Sequence, residues 1–224
     1  RFRRRSDSLL VQPVGLTTAS NGVTFARCAS GQPPVTTGSP AAAQSAHELL
    51  IGDTSTINPR YLLQDTNGRS VTSEDFRGRF QLIAFGYTYC PDICPTTLVE
   101  MAAILKQLGD QADRLQPIFV TVDPERDSAK VLKTYTEFFD PRILGLTGSP
   151  ALVRRAADNF KIRYAKVREP GAENYAVDHS AGMILLGPDG AFIKKFAFAT
   201  PVDEISAQLR EVIGAYPVQP AHRQ

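Results

Sequence analysis

Residues 81–108 read QLIAFGYTYCPDICPTTLVEMAAILKQL, and the rest of the chain can be arranged around them. The run over 81–87 is apolar, rich in aromatic residues and of strand length, which is typical of a strand buried on both faces. Over 98–108, apolar side chains recur at three- and four-residue steps, a spacing that predicts a helix with one apolar face. Cys90 and Cys94 lie on the turn that joins the predicted strand to the predicted helix.

A proline follows each of these cysteines and restricts its geometry. Pro91 disfavours the helical region for Cys90, so we expect the first cysteine on an extended segment that leaves the strand. Pro95 suits the first position of a helix, which makes Cys94 the expected N-cap. Because a helix N-terminus presents unpaired N–H groups and the positive end of the dipole, we expect Cys94 to have an unusually low pKa. Two thiols on such a turn indicate a redox site, a metal site, or both.

Composition sets broad limits on the class of protein. With 224 residues, of which 42% are hydrophobic, the chain can bury a core without disulfide staples. A formal net charge of +2 gives no argument for nucleic-acid binding, and three cysteines exclude a disulfide framework. The sequence has no run of about 18 apolar residues that would span a membrane. It starts with Arg1 rather than methionine, so we expect a processed product whose membrane anchor lay upstream.

The chain divides into three predicted segments. Residues 1–58 are a largely irregular tail and linker, residues 59–216 are a globular domain, and residues 217–224 are a C-terminal tail. A spare thiol and two solvated imidazoles are predicted outside the domain, at Cys28, His47 and His222.

Within the domain, the predicted order is a hairpin, a βαβ unit extended by an α/β insertion, a second hairpin and a final helix. Because a helix connects the strands over 81–87 and 116–123, these two strands should be parallel. The predicted fold class is α/β and thioredoxin-like: a central mixed sheet flanked by helices, with an N-terminal hairpin and an α/β insertion. This order places the cysteine pair at the carboxyl ends of the parallel strands. The other predicted elements are hairpins over 60–72 and 182–198, helices over 128–139, 149–160 and 200–213, strands over 142–146 and 162–167, and a polar loop over 168–175.

His179 is the third candidate for the site. It lies just before a predicted strand, on a loop that a thioredoxin-like fold would bring close to the cysteines. Asp178 either orients the imidazole through its other ring nitrogen or caps the loop. Two thiolates and an imidazole form a soft donor set that favours copper, as Cu(I) or Cu(II), whereas zinc prefers a closed cage of four ligands. Met101 and Met183 could add a thioether, but both fit core positions.

The motifs of this chain resemble those of the Sco/SenC family of copper proteins. The similarity runs from about residue 60 to residue 213 and is carried by GYTYCPDICP at 86–95, TVDPERD at 121–127, DHS at 178–180 and GPDG at 187–190. The resemblance implies copper bound by Cys90, Cys94 and His179, with Asp123 and Asp178 bordering the site as supporting residues.

The resemblance also implies a function. It indicates a copper metallochaperone that delivers copper, or reduces the acceptor cysteines, during assembly of the binuclear copper centre of cytochrome c oxidase. The expected partners are the copper-bearing subunit of the oxidase and another copper chaperone, without nucleic acid, and with the membrane only through the missing N-terminal anchor. The expected location is the periplasmic face of a bacterial inner membrane or, alternatively, the intermembrane-space side of the mitochondrial inner membrane.

The alternative is an enzyme, a thiol-disulfide oxidoreductase that acts on protein cysteines without obligatory copper. A dedicated thioredoxin would carry CxxC and a proline before the facing strand, whereas this chain has CxxxC and no proline over 177–184. An imidazole beside the thiolates is superfluous for dithiol exchange but useful for copper. A peroxidase is disfavoured, because the chain has no tryptophan and lacks the Pro-x-x-x-Thr-x-x-Cys pattern at either cysteine.

Overall fold

The computed structural model describes residues 57–168 and 174–216. The predictions made for the two tails lie outside these ranges, among them those for Cys28, His47 and His222. Within the described ranges, no helix is both long and apolar enough to cross a membrane.

The described residues form nine strands and four α-helices in an alternating α/β order. Two short 3₁₀ helices, Ser73–Phe76 and Gly109–Arg114, precede β3 and β4. The strands and α-helices are β1 Leu62–Asp65, β2 Ser70–Thr72, β3 Phe80–Gly86, α1 Ile93–Leu108, β4 Leu115–Thr121, α2 Ala129–Phe139, β5 Leu144–Thr147, α3 Pro150–Asn159, β6 Tyr164–Val167, β7 Ala176–His179, β8 Met183–Leu186, β9 Phe192–Phe196 and α4 Val202–Ala215.

Seven of these strands form one mixed sheet in the order β2-β1-β5-β4-β3-β8-β9. β3 pairs in parallel with β4, and β4 pairs in parallel with β5, so the predicted βαβ unit and its α/β extension are confirmed. The hairpins β1–β2 and β8–β9 are antiparallel and complete the two sides of the sheet. The fold class is therefore the predicted one, a central mixed sheet flanked by helices.

The core lies around β3, whose seven residues are all buried. Helix α1 packs its apolar face on this core through Leu98, Met101 and Leu105, each at most 1% exposed. Burying side chains of this size contributes about 1.5–3 kcal/mol each before conformational entropy is counted. Met183 on β8 is also buried, so the assignment of both methionines to the core is confirmed.

Two helices begin where the sequence predicts. The Ser128 hydroxyl accepts a hydrogen bond from the Val131 N–H at the start of α2. The Ser149 hydroxyl does the same for Leu152 at the start of α3. Each serine satisfies one of the N–H groups that the first helical turn leaves without a partner.

A small antiparallel ladder lies outside the main sheet. β6 pairs with β7, and Tyr164 stands opposite His179 in the register. β7 was not predicted, so the expectation that His179 lies on a loop is wrong: His179 is the last residue of a strand. The strand is held by pairing with β6, a contact between distant residues that the four-residue sequence does not signal.

Candidate functional site

The two cysteines follow β3 at the carboxyl ends of the parallel strands. Cys90 is half-buried, and its N–H donates to the Tyr87 carbonyl at 3.3 Å. Cys94 is 2% exposed and lies on the first turn of α1. Its sulfur packs against Gly86, where an added Cβ would lie 2.7 Å from Cys94 Sγ. Only glycine at this position lets the sulfur approach the end of β3.

Helix α1 begins earlier than predicted. Its N-cap is Asp92, and Cys94 is the second helical residue, so the prediction of Cys94 as N-cap is wrong. Pro95 occupies the third helical position, which it tolerates because an N–H there also lacks a partner within the helix. The Cys94 N–H points at Cys90 Sγ, 3.5 Å away. The helix N-terminus therefore stabilises negative charge on Cys90.

The acidic thiol is consequently Cys90 and not Cys94. A hydrogen bond from the Cys94 thiol lowers the pKa of Cys90 to about 5, helped by the N–H groups of Asp92 and Cys94. The same hydrogen bond to Cys90, together with burial, raises the pKa of Cys94. The expectation of a low pKa for Cys94 is thus corrected. Cys90 carries the thiolate at neutral pH, and Cys94 keeps its proton.

His179 faces this pair from β7. Its Nε2 lies 3.6 Å from Cys94 Sγ, and its Nδ1 lies 3.1 Å from the Val177 carbonyl oxygen. Because a carbonyl oxygen only accepts hydrogen bonds, Nδ1 carries a proton, and Nε2 is the ring nitrogen that faces the sulfur. The Tyr87 ring packs edge-on against the imidazole, with the ring centroids 5.8 Å apart.

Asp178 is exposed, and the group that orients the imidazole is the Val177 carbonyl. Among the described residues, no hydrogen bond joins the Asp178 carboxylate to the His179 ring. Asp178 lines the cleft beside Cys90 and His179.

Cys90, Asp178 and His179 are among the residues that line a cleft of about 430 Å³. A larger cleft, of about 690 Å³, opens at the amino ends of β4 and β5, and its lining contains no cysteine or histidine. In the described part of the chain, no three Cys, His, Asp or Glu side chains are gathered closely enough to form a metal cage. Cys94 Sγ and His179 Nε2 are neighbours at 3.6 Å, and a metal ion held by all three donors would require them to move closer together.

The turn after β4 holds the cysteine loop through Asp127. This carboxylate is fully buried and accepts hydrogen bonds from the Thr88 N–H at 3.0 Å and the Thr88 hydroxyl at 2.6 Å. It also accepts one from the Thr121 hydroxyl at 2.6 Å. Burial raises the pKa of Asp127. The sequence analysis did not assign Asp127 to the site; the available signal was a run of charged residues directly after a buried strand.

The same turn holds the segment that leads into β7. Asp123 is fully buried, forms an ion pair with Arg126 and accepts a hydrogen bond from the Tyr175 hydroxyl at 2.8 Å. Arg126 donates to the Tyr175 carbonyl at 2.9 Å. Asp123 therefore contacts Tyr175, which precedes the strand of His179, whereas Asp127 contacts Thr88, which precedes the two cysteines. Arg126 is the second residue of this region that the sequence analysis missed.

A thioredoxin-like fold with two thiols after its central strand and an imidazole facing them defines a class of protein, the thiol-based redox and metal-binding proteins. The motif residues lie where that class carries its chemistry, at the carboxyl ends of parallel strands. The family model for SCO1/SenC matches residues 51–214, and the chain belongs to this family.

Relatives and solved structures agree with this assignment. The mitochondrial SCO2 homologue of Mus musculus is 37% identical over 158 residues, which cover 70% of this chain and 62% of the relative. The crystal structure of Arabidopsis thaliana ScoI with copper bound is similar at a TM-score of 0.67 and 33% identity, covering 71% of this chain and 99% of ScoI.

A third similar structure, of BsSco, has a TM-score of 0.56 and 27% identity and covers 73% of this chain and 98% of BsSco. BsSco is described as having a disulfide switch and as a member of the Sco family of cytochrome c oxidase assembly proteins. The chain spans 59–62% of the length of the mammalian SCO2 relatives that it matches.

Proposed function

We propose that this chain binds one copper ion through Cys90, Cys94 and His179 and serves in assembly of the binuclear copper centre of cytochrome c oxidase. The observation that carries the proposal is the 3.6 Å approach of His179 Nε2 to Cys94 Sγ, with Nδ1 already committed to the Val177 carbonyl. Thiolate sulfurs select Cu(I), and imidazole nitrogen also suits copper, so two sulfurs and one imidazole form a donor set for this metal. Structures of relatives with copper bound support this choice of metal.

Each ligand has a separate task. Cys90 is half-buried and carries the thiolate, so it makes the first contact with an incoming ion. Cys94 is buried and must release its proton when the ion binds. His179 supplies the third donor, which matters most for Cu(II), because two thiolates can hold Cu(I) almost linearly. The cleft beside Cys90 leaves room for an acceptor's ligands to reach the ion.

The partners follow from this role. We infer that the acceptor is the copper-bearing subunit of the oxidase and that another copper chaperone supplies the ion. The place of action is then the periplasmic face of a bacterial inner membrane, or the equivalent intermembrane-space face of the mitochondrial inner membrane. Mitochondrial SCO2 relatives and SCO2-like relatives from Rickettsia support these two alternatives.

A second candidate function is reduction of acceptor cysteines, and the acidity of Cys90 favours it. The Cys90 thiolate would attack a disulfide sulfur of the acceptor, forming a mixed disulfide and releasing one thiolate. Cys94 would then lose its proton and attack the Cys90 sulfur. This step leaves a Cys90–Cys94 disulfide and releases the second sulfur of the acceptor in reduced form. The electrons come from the two thiols of this chain.

The variant His179→Ala separates the two functions. Dithiol exchange needs only the sulfurs, so we expect the variant to cycle between dithiol and disulfide at the rate of the parent. Cu(II) affinity should fall strongly and Cu(I) affinity much less. Asp178→Asn is the matched control, because it changes the neighbouring charge and leaves the ring nitrogens in place; we expect its effect on Cu(II) affinity to be smaller than 10-fold, about the lower limit for an outer ligand partner.

Both affinities and the disulfide reduction rate are measured on the same purified protein, and assembly of the oxidase is measured in cells. Loss of assembly together with loss of Cu(II) binding supports copper delivery. Normal assembly by a variant that no longer binds Cu(II) would refute delivery through this site and favour the reductase.

A further inference from the structure

We propose that Arg126 is a positioning residue for His179: together with Asp123 it fastens the segment that leads into β7 and so sets the distance between the imidazole and the cysteines. The proposal deepens the copper site proposed above and rests on it. The contacts that carry it join the turn after β4 to Tyr175, the residue immediately before β7.

Tyr175 is held at two points by one ion pair. Arg126 Nη1 donates to the Tyr175 carbonyl at 2.9 Å, and the guanidinium carbon lies 3.7 Å from the centre of the Tyr175 ring. The Tyr175 hydroxyl donates to Asp123 Oδ1 at 2.8 Å, and Asp123 Oδ2 pairs with Arg126 Nε. Asp123 has no exposed surface, so this ion pair is shielded from solvent and holds its geometry more firmly than a surface pair.

Arg126 also contacts the cysteine loop. Its guanidinium lies over the rings of Tyr87 and Tyr89, at 5.6 and 4.9 Å from their centres. Tyr87 in turn packs edge-on against the His179 imidazole. One side chain therefore contacts the loop that carries the cysteines and the segment that carries the histidine.

The hairpin of β6 and β7 depends on such contacts for its placement. It forms its own two-stranded sheet, so the backbone ladder of the seven-stranded sheet does not fix where His179 lies. The buried side chain of Val177 anchors the middle of β7, and the Arg126 contacts anchor its beginning. Among the described residues, the ion pair that joins this hairpin to the turn, Lys166 with Glu125, is exposed, and Lys166 Nζ also lies 4.8 Å from the centre of the Tyr175 ring.

The chemistry of the contact requires arginine. A planar guanidinium can pair with a carboxylate through Nε, donate to a carbonyl through Nη1 and stack on an aromatic ring at the same time. A lysine ammonium is a point charge and can satisfy the carboxylate without holding the Tyr175 carbonyl and ring in the same geometry. Arg126→Lys should therefore keep the charge and lose part of the positioning.

The test uses a double variant, Asp123→Asn with Arg126→Gln, which removes the ion pair without leaving a buried charge unpaired. Arg126→Lys is the conservative variant. Glu125→Gln is the matched control, because it removes the exposed ion pair between the same hairpin and the same turn and leaves Lys166 over the Tyr175 ring. Cu(II) affinity, Cu(I) affinity and the hydrogen exchange of β7 amides relative to β3 amides in metal-free protein are measured for all of them.

We expect Cu(II) affinity to fall roughly 10–100-fold in the double variant and Cu(I) affinity to stay nearly unchanged. This loss is the one typical of removing a residue that orients a metal ligand. Exchange of the β7 amides should accelerate by at least about 10-fold while β3 exchange stays the same. Arg126→Lys should fall between the double variant and the parent, and Glu125→Gln should match the parent.

Three outcomes would overturn the proposal: unchanged β7 exchange in the folded double variant, equal loss of both copper affinities, or an equal effect from Glu125→Gln. If the double variant does not fold, Tyr175→Phe, which removes only the hydroxyl bond to Asp123, is judged on the same measurements. If the parent binds no copper, the proposed function fails, and the exchange comparison alone decides whether Arg126 positions β7.

Discussion

Replacing Gly86 by alanine tests how the cysteine site is built. The new Cβ would lie 2.7 Å from Cys94 Sγ and 2.7 and 2.8 Å from two atoms of the Phe119 ring. Comfortable contacts between such atoms are about 3.5–4.0 Å, so the neighbours must yield by about 1 Å. The Phe119 ring is 1% exposed and packs against Tyr135, with the ring centroids 6.0 Å apart, so it has little room to retreat. We therefore expect the Cys94 sulfur to move.

The magnitude follows from the cost of overpacking a filled core. About 1–3 kcal/mol of the free energy of unfolding should be lost, which lowers the melting temperature by roughly 2–12 °C for a chain of this size. Because Cu(I) needs both sulfurs in place, its affinity should fall in Gly86→Ala, in contrast to His179→Ala. Thermal unfolding of reduced, metal-free protein and a Cu(I) competition titration measure the two effects.

Gly148→Ala is the matched control. Gly148 lies directly after β5, at the same end of the sheet as Gly86, but an added Cβ would lie 3.4 Å from its nearest neighbour, Leu63 Cδ2. That distance is an ordinary contact, so we expect a change in the free energy of unfolding within about 0.5 kcal/mol. A Gly86→Ala protein with the melting temperature and Cu(I) affinity of the parent would refute the inference that Gly86 sets the position of the Cys94 sulfur.

Four further predictions concern the cysteine loop and the residues that hold it. Alkylation of metal-free, reduced protein should modify Cys90 with a midpoint near pH 5, because hydrogen bonds from Cys94 lower its pKa; peptide mass spectrometry showing Cys94 modified first would contradict this. The pKa of Cys90 in the folded protein lies below its unfolded value of about 8.5, so the Cys90 thiolate contributes its full stabilisation above about pH 8.5 and loses it as the pH falls through about 5. Urea unfolding midpoints measured across this pH range check the prediction. Asp127→Asn places an amide donor against the donors of Thr88 and Thr121 and should lower the free energy of unfolding by about 1–3 kcal/mol. An unchanged urea midpoint would contradict the inference that Asp127 holds the cysteine loop. Mild oxidation without metal should join Cys90 to Cys94 and block copper uptake until reduction, and a thiol titration that still finds both thiols free would show otherwise.

Most of the fold follows from local patterns. The buried run before Cys90 and the spaced apolar residues after Cys94 predict a strand and a helix, because burial on two faces and burial on one face leave different periodicities. The helix between β3 and β4 requires a crossover, and the two strands are parallel as expected. The N-cap of α1 was misplaced by two residues, because proline is tolerated throughout the first turn and does not mark one position. β7 was missed because its four residues are held by pairing with β6.

The sequence by itself supplied the candidate donors of the proposed site: two cysteines four residues apart at a strand–helix turn, and His179 beyond the second core strand. Only the tertiary structure decided that Cys90 carries the thiolate, that a backbone carbonyl orients the imidazole, and that the turn after β4 contacts both the cysteine loop and the residue before β7. The physical reason is that a pKa and a ring orientation depend on distances between atoms of residues far apart in the chain. Identity and spacing along the sequence do not contain those distances.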